Sequence, residues 1–306
     1  MIKVLFVGAG KRVTMGNLFT RSGAVVDSYE LDINSPINLT CRNVIKGRSW
    51  KDPEVYAHLL KTIKDGKYGL VVPFQCAAVE ILSLMRENEG IDSICVSDVS
   101  TSRICLRKDE FEKYFTANKS LVDIYPLPTT TPVVMKPAKG NASRGIKYLK
   151  KVPKKTPDDH IIQREIKGTE YSVDCYYSIY GDLIDYVPRI REEVTNGEVT
   201  KSITVDKDIF EKDEIIQRIS REFKFRGPVC MQFIADQDSR LCIIEINCRF
   251  GGGATLSISS GLNMPEYMIG EYVRRDADFT EYISGWIKGT RVVRCYRDYY
   301  YEENSV

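Results

Sequence analysis

A strand-like stretch followed by three glycines runs from residue 241 to residue 253 and reads Leu241-Cys242-Ile243-Ile244-Glu245-Ile246-Asn247-Cys248-Arg249-Phe250-Gly251-Gly252-Gly253. Its apolar positions predict a buried strand that ends at Asn247. Glu245 lies two residues before Asn247, so the two side chains share one face of that strand. The preceding predicted strand, residues 228–235, pairs with it across a polar turn and carries Gln232 on the facing position. Three such oxygen ligands suit Mg²⁺ bridged to phosphates.

Further motifs upstream indicate a nucleotide. Lys136 ends an apolar strand, although lysine is rarely buried without a partner. The loop from Pro137 to Gly145 offers glycines, small side chains and backbone N–H groups that can cradle phosphates. A plain β-hairpin loop has the same pattern, so both interpretations stay open. In the following segment, residues 161–174, a strand edge is predicted to present backbone groups to a purine and a carboxylate to ribose hydroxyls.

The first hundred residues alternate between strand-like and helix-like segments. Repeated βα units predict a parallel sheet with helices on both faces. The glycine turn Gly8-Ala9-Gly10 also fits the start of a dinucleotide-binding motif with Asp32 as the ribose acid, but Val13 replaces the third glycine. The predicted strands are residues 2–7, 24–26, 68–73 and 94–96, and the predicted helices are residues 53–63 and 77–85.

The remainder of the chain is predicted to be largely antiparallel. Residues 170–178 and 183–191 alternate in polarity around a hairpin turn at Gly181-Asp182. Residues 206–223 have the spacing of one long amphipathic helix with Asp206 as its N-cap. The predicted fold class is therefore α/β plus α+β.

Composition excludes several classes of protein. The 306 residues contain 44 Lys plus Arg against 42 Asp plus Glu, a balance that argues against a nucleic-acid-coating protein. Two histidines exclude a three-histidine zinc site. Nine scattered cysteines without C-x-x-C spacing favour a reducing cytosol over a disulfide framework. No signal peptide and no membrane-length apolar run is found, so we expect a cytoplasmic protein without a membrane anchor.

These motifs, in this order, resemble the ATP-grasp superfamily, in particular the branch similar to the carbamoyl-phosphate synthase large subunit and to free-standing carboxylate–amine ligases. The resemblance covers nearly the whole chain. It implies an ATP-grasp architecture in which a nucleotide binds between two antiparallel-sheet subdomains. The implied domains are an N-terminal parallel α/β domain at residues 1–103 and an ATP-grasp domain at residues 104–306, with residues 125–168 as its small lid.

The resemblance also implies a role for each motif. Residues implied in nucleotide binding are Lys108, Lys136, Ser143, Gly145, Gln163, Arg164, Ile166 and Glu170. The implied metal ligands are Gln232, Glu245 and Asn247, with ATP and Mg²⁺ or Mn²⁺ as cofactors. The implied catalytic residues are Arg249 and Lys136, and Arg189 and Arg191 are added as catalytic candidates on their residue type and spacing. Many relatives have an acidic residue at the position of Gln232, and a neutral amide holds a divalent cation less well.

The activity implied by the resemblance is that of an ATP-dependent ligase. It activates a carboxylate as an acyl phosphate, releases ADP and phosphate, and forms an amide with an amine. The implied partners are small carboxylates and amines, such as amino acids, peptides or sugar acids, together with a homodimer, but neither nucleic acid nor a membrane. Two alternatives stay open: a kinase-like or carbamoyl-phosphate-type enzyme, and an ATP-binding module without catalysis.

Arg189 and Arg191 have two interpretations. They are two apart in a predicted strand and therefore share one face. Planar guanidinium groups there suit the substrate carboxylate or the γ-phosphate. The alternative is a set of surface ion pairs, for which the sequence offers Glu192, Glu193 and Asp185.

Overall fold

The chain folds into three β-sheets joined by helices. The computed structural model describes residues 1–128, 131–139, 145–195, 197–280, 282–295 and 297–300. The strands are β1 (Ile2–Val7), β2 (Ala24–Glu30), β3 (Asn43–Lys46), β4 (Leu70–Pro73), β5 (Val133–Pro137), β6 (Lys147–Leu149), β7 (His160–Arg164), β8 (Thr169–Tyr177), β9 (Leu183–Thr195), β10 (Glu198–Thr204), β11 (Gly227–Ala235), β12 (Leu241–Asn247) and β13 (Arg291–Val293). The α-helices are α1 (Val13–Arg21), α2 (Val55–Gly66), α3 (Cys76–Glu89), α4 (Val99–Leu106), α5 (Lys108–Ala117), α6 (Asp208–Glu211), α7 (Ile215–Glu222), α8 (Ala254–Ser260) and α9 (Met264–Ile269).

The N-terminal sheet is parallel, with strand order β3-β2-β1-β4. Its central strand β1 is apolar throughout because both of its faces are covered. Leu5 packs in one core cluster with Leu82 of α3. Phe6 packs on the opposite face against Phe19 of α1, with ring centroids 4.9 Å apart. The predicted parallel sheet with helices on both faces is therefore confirmed.

The other two sheets are antiparallel. The small sheet has the order β6-β5-β7, and the large sheet has the order β12-β11-β8-β9-β10-β13. Val173 and Phe233 of the large sheet belong to the same core cluster as Leu82 of α3. The parallel sheet and the large sheet thus share one core, whereas the small sheet has a separate cluster of Val133, Met135 and Ile162.

The glycine turn after β1 binds a carboxylate of the protein itself. The amides of Ala9 and Gly10 donate to Glu30 Oε1 over 2.7 and 3.1 Å, and Ser28 Oγ donates to the same oxygen. Burial raises the pKa of Glu30. The exposed Asp32 instead accepts from the Asn34 amide. The donors that a dinucleotide pyrophosphate needs are occupied, so the dinucleotide interpretation with Asp32 as the ribose acid is wrong.

Two predicted elements differ in the structure. The single helix expected at residues 206–223 is divided into α6 and α7, because Glu214 between them has a left-handed φ of 48°. The N-cap position of α6 is Lys207 rather than Asp206, and no side chain caps it. The strand expected at residues 94–96 reduces to one parallel bridge, between Ile94 and Val71.

All nine cysteines are free thiols, as a chain without a disulfide framework requires. Most of them are buried and pack as small apolar side chains. Among the described residues, every helix is too short or too polar to traverse a bilayer.

Candidate active site

A cavity of about 360 Å³ lies between the small sheet and the large sheet. Lys136 and Gln163 reach it from the small sheet. Glu170, Gln232 and Glu245 reach it from the large sheet. The structure therefore brings together side chains that are more than a hundred residues apart in sequence. Other residues lining this nucleotide-sized cavity are Lys108, Arg164, Ile166 and Arg191.

Two lysines line the nucleotide cavity. Lys136 is buried, and this burial lowers the pKa of its ammonium group to about 8. Glu245 favours the charged form of Lys136, whereas the nearby Lys108 disfavours it. Lys108 is the first residue of α5, and its amide donates to the Ala138 carbonyl just beyond β5 over 3.0 Å. This link holds the two lysines on the same side of the cavity, where they can neutralise a polyphosphate.

Gln163 presents a buried acceptor to the same cavity. Its Nε2 donates to the hydroxyl of Tyr125 at 2.8 Å, while its Oε1 is buried without a hydrogen-bond partner among the described residues. A buried, unsatisfied acceptor costs free energy until a donor reaches it. The neighbouring amides of Arg164 and Glu165 are already bonded, to the carbonyls of Pro126 and Pro132. The exocyclic amine of a purine fits the orphaned oxygen of Gln163.

The predicted metal ligands lie beside one another on strands β11 and β12. Gln232 is directly opposite Glu245 in the register of these strands. Asn247 Nδ2 donates to Glu245 Oε1 at 2.8 Å. In the described part of the chain, no three His, Cys, Asp or Glu side chains form a metal-binding group. One carboxylate and two amide oxygens fit Mg²⁺, which usually binds through few protein ligands together with substrate phosphates.

Arg249 follows the predicted metal ligands in the sequence, and its guanidinium contacts both neighbouring residues and the distant Cys76. Its Nη2 donates to Asn247 Oδ1 at 2.9 Å and contacts Cys76 Sγ at 3.5 Å. Its Nη1 donates to the carbonyl of Phe250, and its Nε is buried without a partner among the described residues. A fixed guanidinium of this kind can stabilise charge that develops during a reaction.

Arg189 is buried in the large sheet. Its Nε donates to Asp174 Oδ2 at 2.7 Å, and its Nη1 has no partner among the described residues. Ser257 Oγ donates to the same carboxylate oxygen, so Asp174 holds Arg189 in place. Arg189 is only 1% exposed. The interpretation of Arg189 as part of a surface ion pair is therefore wrong.

Arg191 lies at the wall of the nucleotide cavity and pairs with Glu170, the predicted ribose contact. The distance between Nη1 of Arg191 and Oε2 of Glu170 is 3.0 Å. Tyr171 lies opposite Ile190 in the antiparallel β8–β9 register, and this register places Glu170 of β8 beside Arg191 of β9. Arg191 Nη1 also donates weakly to Gln232 Oε1, at 3.4 Å. The predicted surface pairing of Arg191 with Glu192, Glu193 or Asp185 is wrong, because its partner is across the sheet.

The predicted phosphate-binding loop is described only at its ends. Ser143, a predicted nucleotide contact, lies outside the described residues. Gly145 ends the loop with a φ of 76°, a conformation that favours glycine. A Cβ at this position would come within 2.9 Å of Pro137 Cγ, at the opposite end of the loop. Gly145 thus allows the two ends of the loop to approach each other.

Two further cavities continue the cleft towards the parallel sheet. The second cavity, of about 640 Å³, shares Lys108, Gln232 and Glu245 with the nucleotide cavity and also contains Arg249. The third, of about 440 Å³, is lined by the glycine turn after β1 and by residues that follow β13. Along these cavities lie four polar side chains whose sequence context indicates no role: Arg12, Cys76, Glu198 and Arg294.

Comparison with protein families matches residues 156–295 to the model described as "ATP-grasp in the biosynthetic pathway with Ter operon". The matched region includes the three predicted metal ligands and Arg249. A comparison with curated protein sequences gives no match.

The fold is similar to those of several solved structures. The biotin carboxylase domain of the Hydrogenobacter thermophilus 2-oxoglutarate carboxylase, solved with MgADP, ADP and bicarbonate, aligns with 88% of this chain and 69% of its own, at 14% identity and a TM-score of 0.70. The L-amino acid ligase of Bacillus licheniformis aligns with 92% and 77%, at 13% identity and a TM-score of 0.67. The ADP complex of N5-carboxyaminoimidazole synthetase from Staphylococcus aureus aligns with 89% and 77%, at 14% identity and a TM-score of 0.69.

These alignments cover between 88% and 92% of the chain. The family match covers the part of the chain that carries the oxygen ligands. The two findings agree with the resemblance carried by the spaced motifs. The chain has the ATP-grasp fold, and its residues 156–295 match an ATP-grasp family model.

Proposed function

We propose that this protein is an ATP-dependent carboxylate–amine ligase that activates a carboxylate as an acyl phosphate and releases ADP and phosphate. One observation carries the proposal: the nucleotide cavity and the second cavity meet at Lys108, Gln232 and Glu245. A γ-phosphoryl group at this junction is accessible from the second cavity, which is large enough for a small acid. The L-amino acid ligase among the structural neighbours supports amide formation as the outcome.

Binding of ATP follows from the cavity walls. Lys108 and Lys136 neutralise the phosphates, and the orphaned Oε1 of Gln163 accepts from the adenine amine. Glu170 is placed for the ribose hydroxyls, with Arg191 holding its carboxylate. Ser143 and Gly145 remain predicted phosphate contacts, and Arg164 and Ile166 line the nucleotide cavity where the base would bind.

The transfer step needs no nucleophile from the protein. A carboxylate oxygen of the substrate attacks the γ-phosphorus in line, the bond to the β–γ bridging oxygen breaks, and ADP leaves. The amine then attacks the acyl carbon, loses a proton and expels phosphate, which forms the amide. Arg249 stabilises the charge on the transferring group and on the tetrahedral intermediate. Arg189, fixed by Asp174, orients the acid through Nη1, which has no hydrogen-bond partner in the described part of the chain.

Gln232, Glu245 and Asn247 hold the divalent cation in this proposal. When bound, Mg²⁺ would neutralise the negative charge of the phosphates. Mn²⁺ accepts the same oxygen ligands and should substitute for it. The proposed domain boundaries at residues 103 and 104, the lid at residues 125–168, the homodimer and the cytoplasmic location remain predictions.

One alternative has an observation in its favour. The structurally similar biotin carboxylase domain was solved with bicarbonate and MgADP, so the same fold accommodates a one-carbon acid. A carbamoyl-phosphate-type or kinase-like enzyme would release ADP without an amine acceptor. An ATP-binding module without catalysis would release none.

An ADP-release screen over amino acids, peptides and sugar acids, with and without amine acceptors, tests the proposed function. We expect ADP and phosphate only when both an acid and an amine are present. Hydroxylamine in place of the amine should trap the acyl phosphate as a hydroxamate. Release of AMP and pyrophosphate without ADP contradicts the acyl-phosphate mechanism, and amine-independent ADP release favours the alternative.

Nucleotide selectivity is expected to follow from Gln163. Because Nε2 donates to Tyr125, the group that Gln163 offers to the purine is the acceptor Oε1. Adenine offers an amine there, whereas guanine offers a carbonyl oxygen that would leave Oε1 unpaired. We expect Mg²⁺-ATP to raise the melting temperature and to bind at least about tenfold more tightly than Mg²⁺-GTP. Gln163→Leu should remove most of this preference; equal shifts for both nucleotides with the wild type contradict the adenine assignment.

A further inference from the structure

Two arginines with no role in phosphoryl transfer lie at the end of the cleft furthest from the nucleotide cavity. Arg12 precedes α1, and Arg294 follows β13. Both line the third cavity, which has no lining residue in common with the nucleotide cavity. We call Arg12 and Arg294 the arginine pair. Because the two cavities are separate, the pair is not placed to bind the phosphates of ATP.

The hydrogen bonds of the arginine pair satisfy only part of each guanidinium. Arg12 Nη1 donates to the Gly251 carbonyl at 3.4 Å, and Arg294 Nη2 donates to the Gly252 carbonyl. Neither arginine forms an ion pair with a described residue. A guanidinium has five N–H donors, so most donors of the pair have no acceptor among the described residues.

The charge around the pair is unbalanced. Arg12 lies close enough to Arg249 and Arg294 for both to lower the pKa of Arg12, which burial lowers to about 10. Burial also lowers the pKa of Arg294, and the positive charge of Arg189 acts in the same direction. Among the described residues that line the third cavity, the exposed Glu198 supplies the carboxylate. It partly offsets the positive charge of the two arginines. The third cavity is thus lined by two guanidiniums and one carboxylate, and this excess of positive charge favours an anion.

We propose that the arginine pair binds a second anionic group of the acid substrate, so that the enzyme acts on acids that carry a phosphate or a further carboxylate. This inference rests on the proposed ligase function and specifies its substrate class. The reacting carboxylate lies in the second cavity beside Arg249, and the second anion lies beyond it, where Arg12 lines both cavities. Planar guanidiniums from opposite ends of the chain suit bidentate binding of phosphate or carboxylate oxygens.

Calorimetric titration with matched small acids tests the proposal directly. The probes are glycolate against phosphoglycolate, and acetate against malonate, at constant ionic strength, both without nucleotide and with a non-hydrolysable ATP analogue. We expect at least one dianion to bind the wild type at least tenfold more tightly than its monoanion. Arg12→Gln and Arg294→Gln should each remove this preference. Arg291→Gln, which removes a surface arginine from its pair with Glu192, is the matched control and should retain it.

The outcomes separate the sources of the anion and the two proposals. Preference for phosphoglycolate alone indicates a phosphate, whereas preference for malonate indicates a second carboxylate; both support the pair. Dianions that bind no better than monoanions to the wild type, or a preference that persists in Arg12→Gln, overturn the inference. Titrations without nucleotide test the arginine pair independently of the ligase proposal. Failure of the ligase proposal shows separately, as an absence of acid- and amine-dependent ADP release.

Thermal unfolding provides a second readout that a merely structural arginine would not give. Without added anion, Arg12→Gln should unfold at the same or a higher temperature than the wild type, because it relieves repulsion among like charges. With the preferred dianion, the wild type should gain stability and Arg12→Gln should gain little. A lower melting temperature for Arg12→Gln in anion-free buffer, together with an undiminished gain from the dianion, overturns the proposal.

Discussion

Glu245→Gln is expected to lower kcat by roughly 100- to 1,000-fold, the usual effect of removing one electrostatic contact to a transition state. Glu245 is the carboxylate of the predicted metal set, in which Gln232 and Asn247 supply only neutral oxygens. The variant keeps an oxygen that can accept the hydrogen bond from Asn247 Nδ2. We therefore expect a melting temperature close to that of the wild type. ADP release measured over a range of Mg²⁺ concentrations checks this prediction.

Two comparisons make the Glu245 experiment specific. Glu110→Gln removes a carboxylate from a peripheral ion pair with Arg103 and should leave kcat unchanged. Gln232→Glu adds a carboxylate opposite Glu245 and should be tolerated, or should reduce the Mg²⁺ concentration required for half-maximal rate. Wild-type kcat in Glu245→Gln at low Mg²⁺ would mean that the metal is placed incorrectly.

Lys136→Met is expected to lower kcat about 100-fold and to stabilise the free enzyme. The loss of activity follows from removing a cation that braces the departing ADP. The gain in stability follows from the burial of Lys136, which lowers the pKa of its ammonium group from 10.5 to about 8. A difference of this size corresponds to about 3 kcal/mol of free energy of unfolding. Methionine fills a similar volume without the charge, so the melting temperature of the nucleotide-free variant should rise by several degrees at pH 7.

The pH dependence distinguishes this effect from simple repacking. Between pH 8 and 10.5 the unfolded chain keeps the proton of Lys136 while the folded chain loses it, so wild-type stability from this group increases with pH. The stability advantage of Lys136→Met over the wild type should thus be complete below pH 8 and should disappear towards pH 10.5. In the wild type, kcat/KM should fall above about pH 8, as the free enzyme loses the charge that binds phosphate. A pH-independent stability difference between the two proteins contradicts the predicted pKa.

The proximity of Glu245 and Asn247, two of the proposed metal ligands, could be anticipated because it is local. Side chains alternate along a strand, so the shared face of Glu245 and Asn247 follows from residues 241–247 alone. The same holds for β1, whose continuous apolar sequence requires cover on both faces. Gln232 lies opposite Glu245 only because a register shift between Gln232 and Phe233 displaces the pairing by one residue. The division of the helix at Glu214 was not predictable, because the hydrophobic spacing continues through a residue with positive φ.

Pairing between distant charges depended on tertiary structure. The partner of Arg191 is Glu170 across β8 and β9, rather than an acid nearby in sequence, because strand register selects which side chains meet. Arg12 and Arg294 show the same limit more strongly, since they are separated by almost the whole chain and meet only when the parallel sheet packs against the end of the large sheet.

Local periodicity and spacing were therefore sufficient for the sheet types, the buried Lys136 and the shared face of Glu245 and Asn247. The junction of the cavities, the occupied glycine turn at Glu30 and the excess positive charge around Arg12 arose only from packing. The physical reason is range: backbone geometry orients neighbouring side chains within a few residues, whereas burial and Coulomb interactions depend on every group that the folded chain brings near.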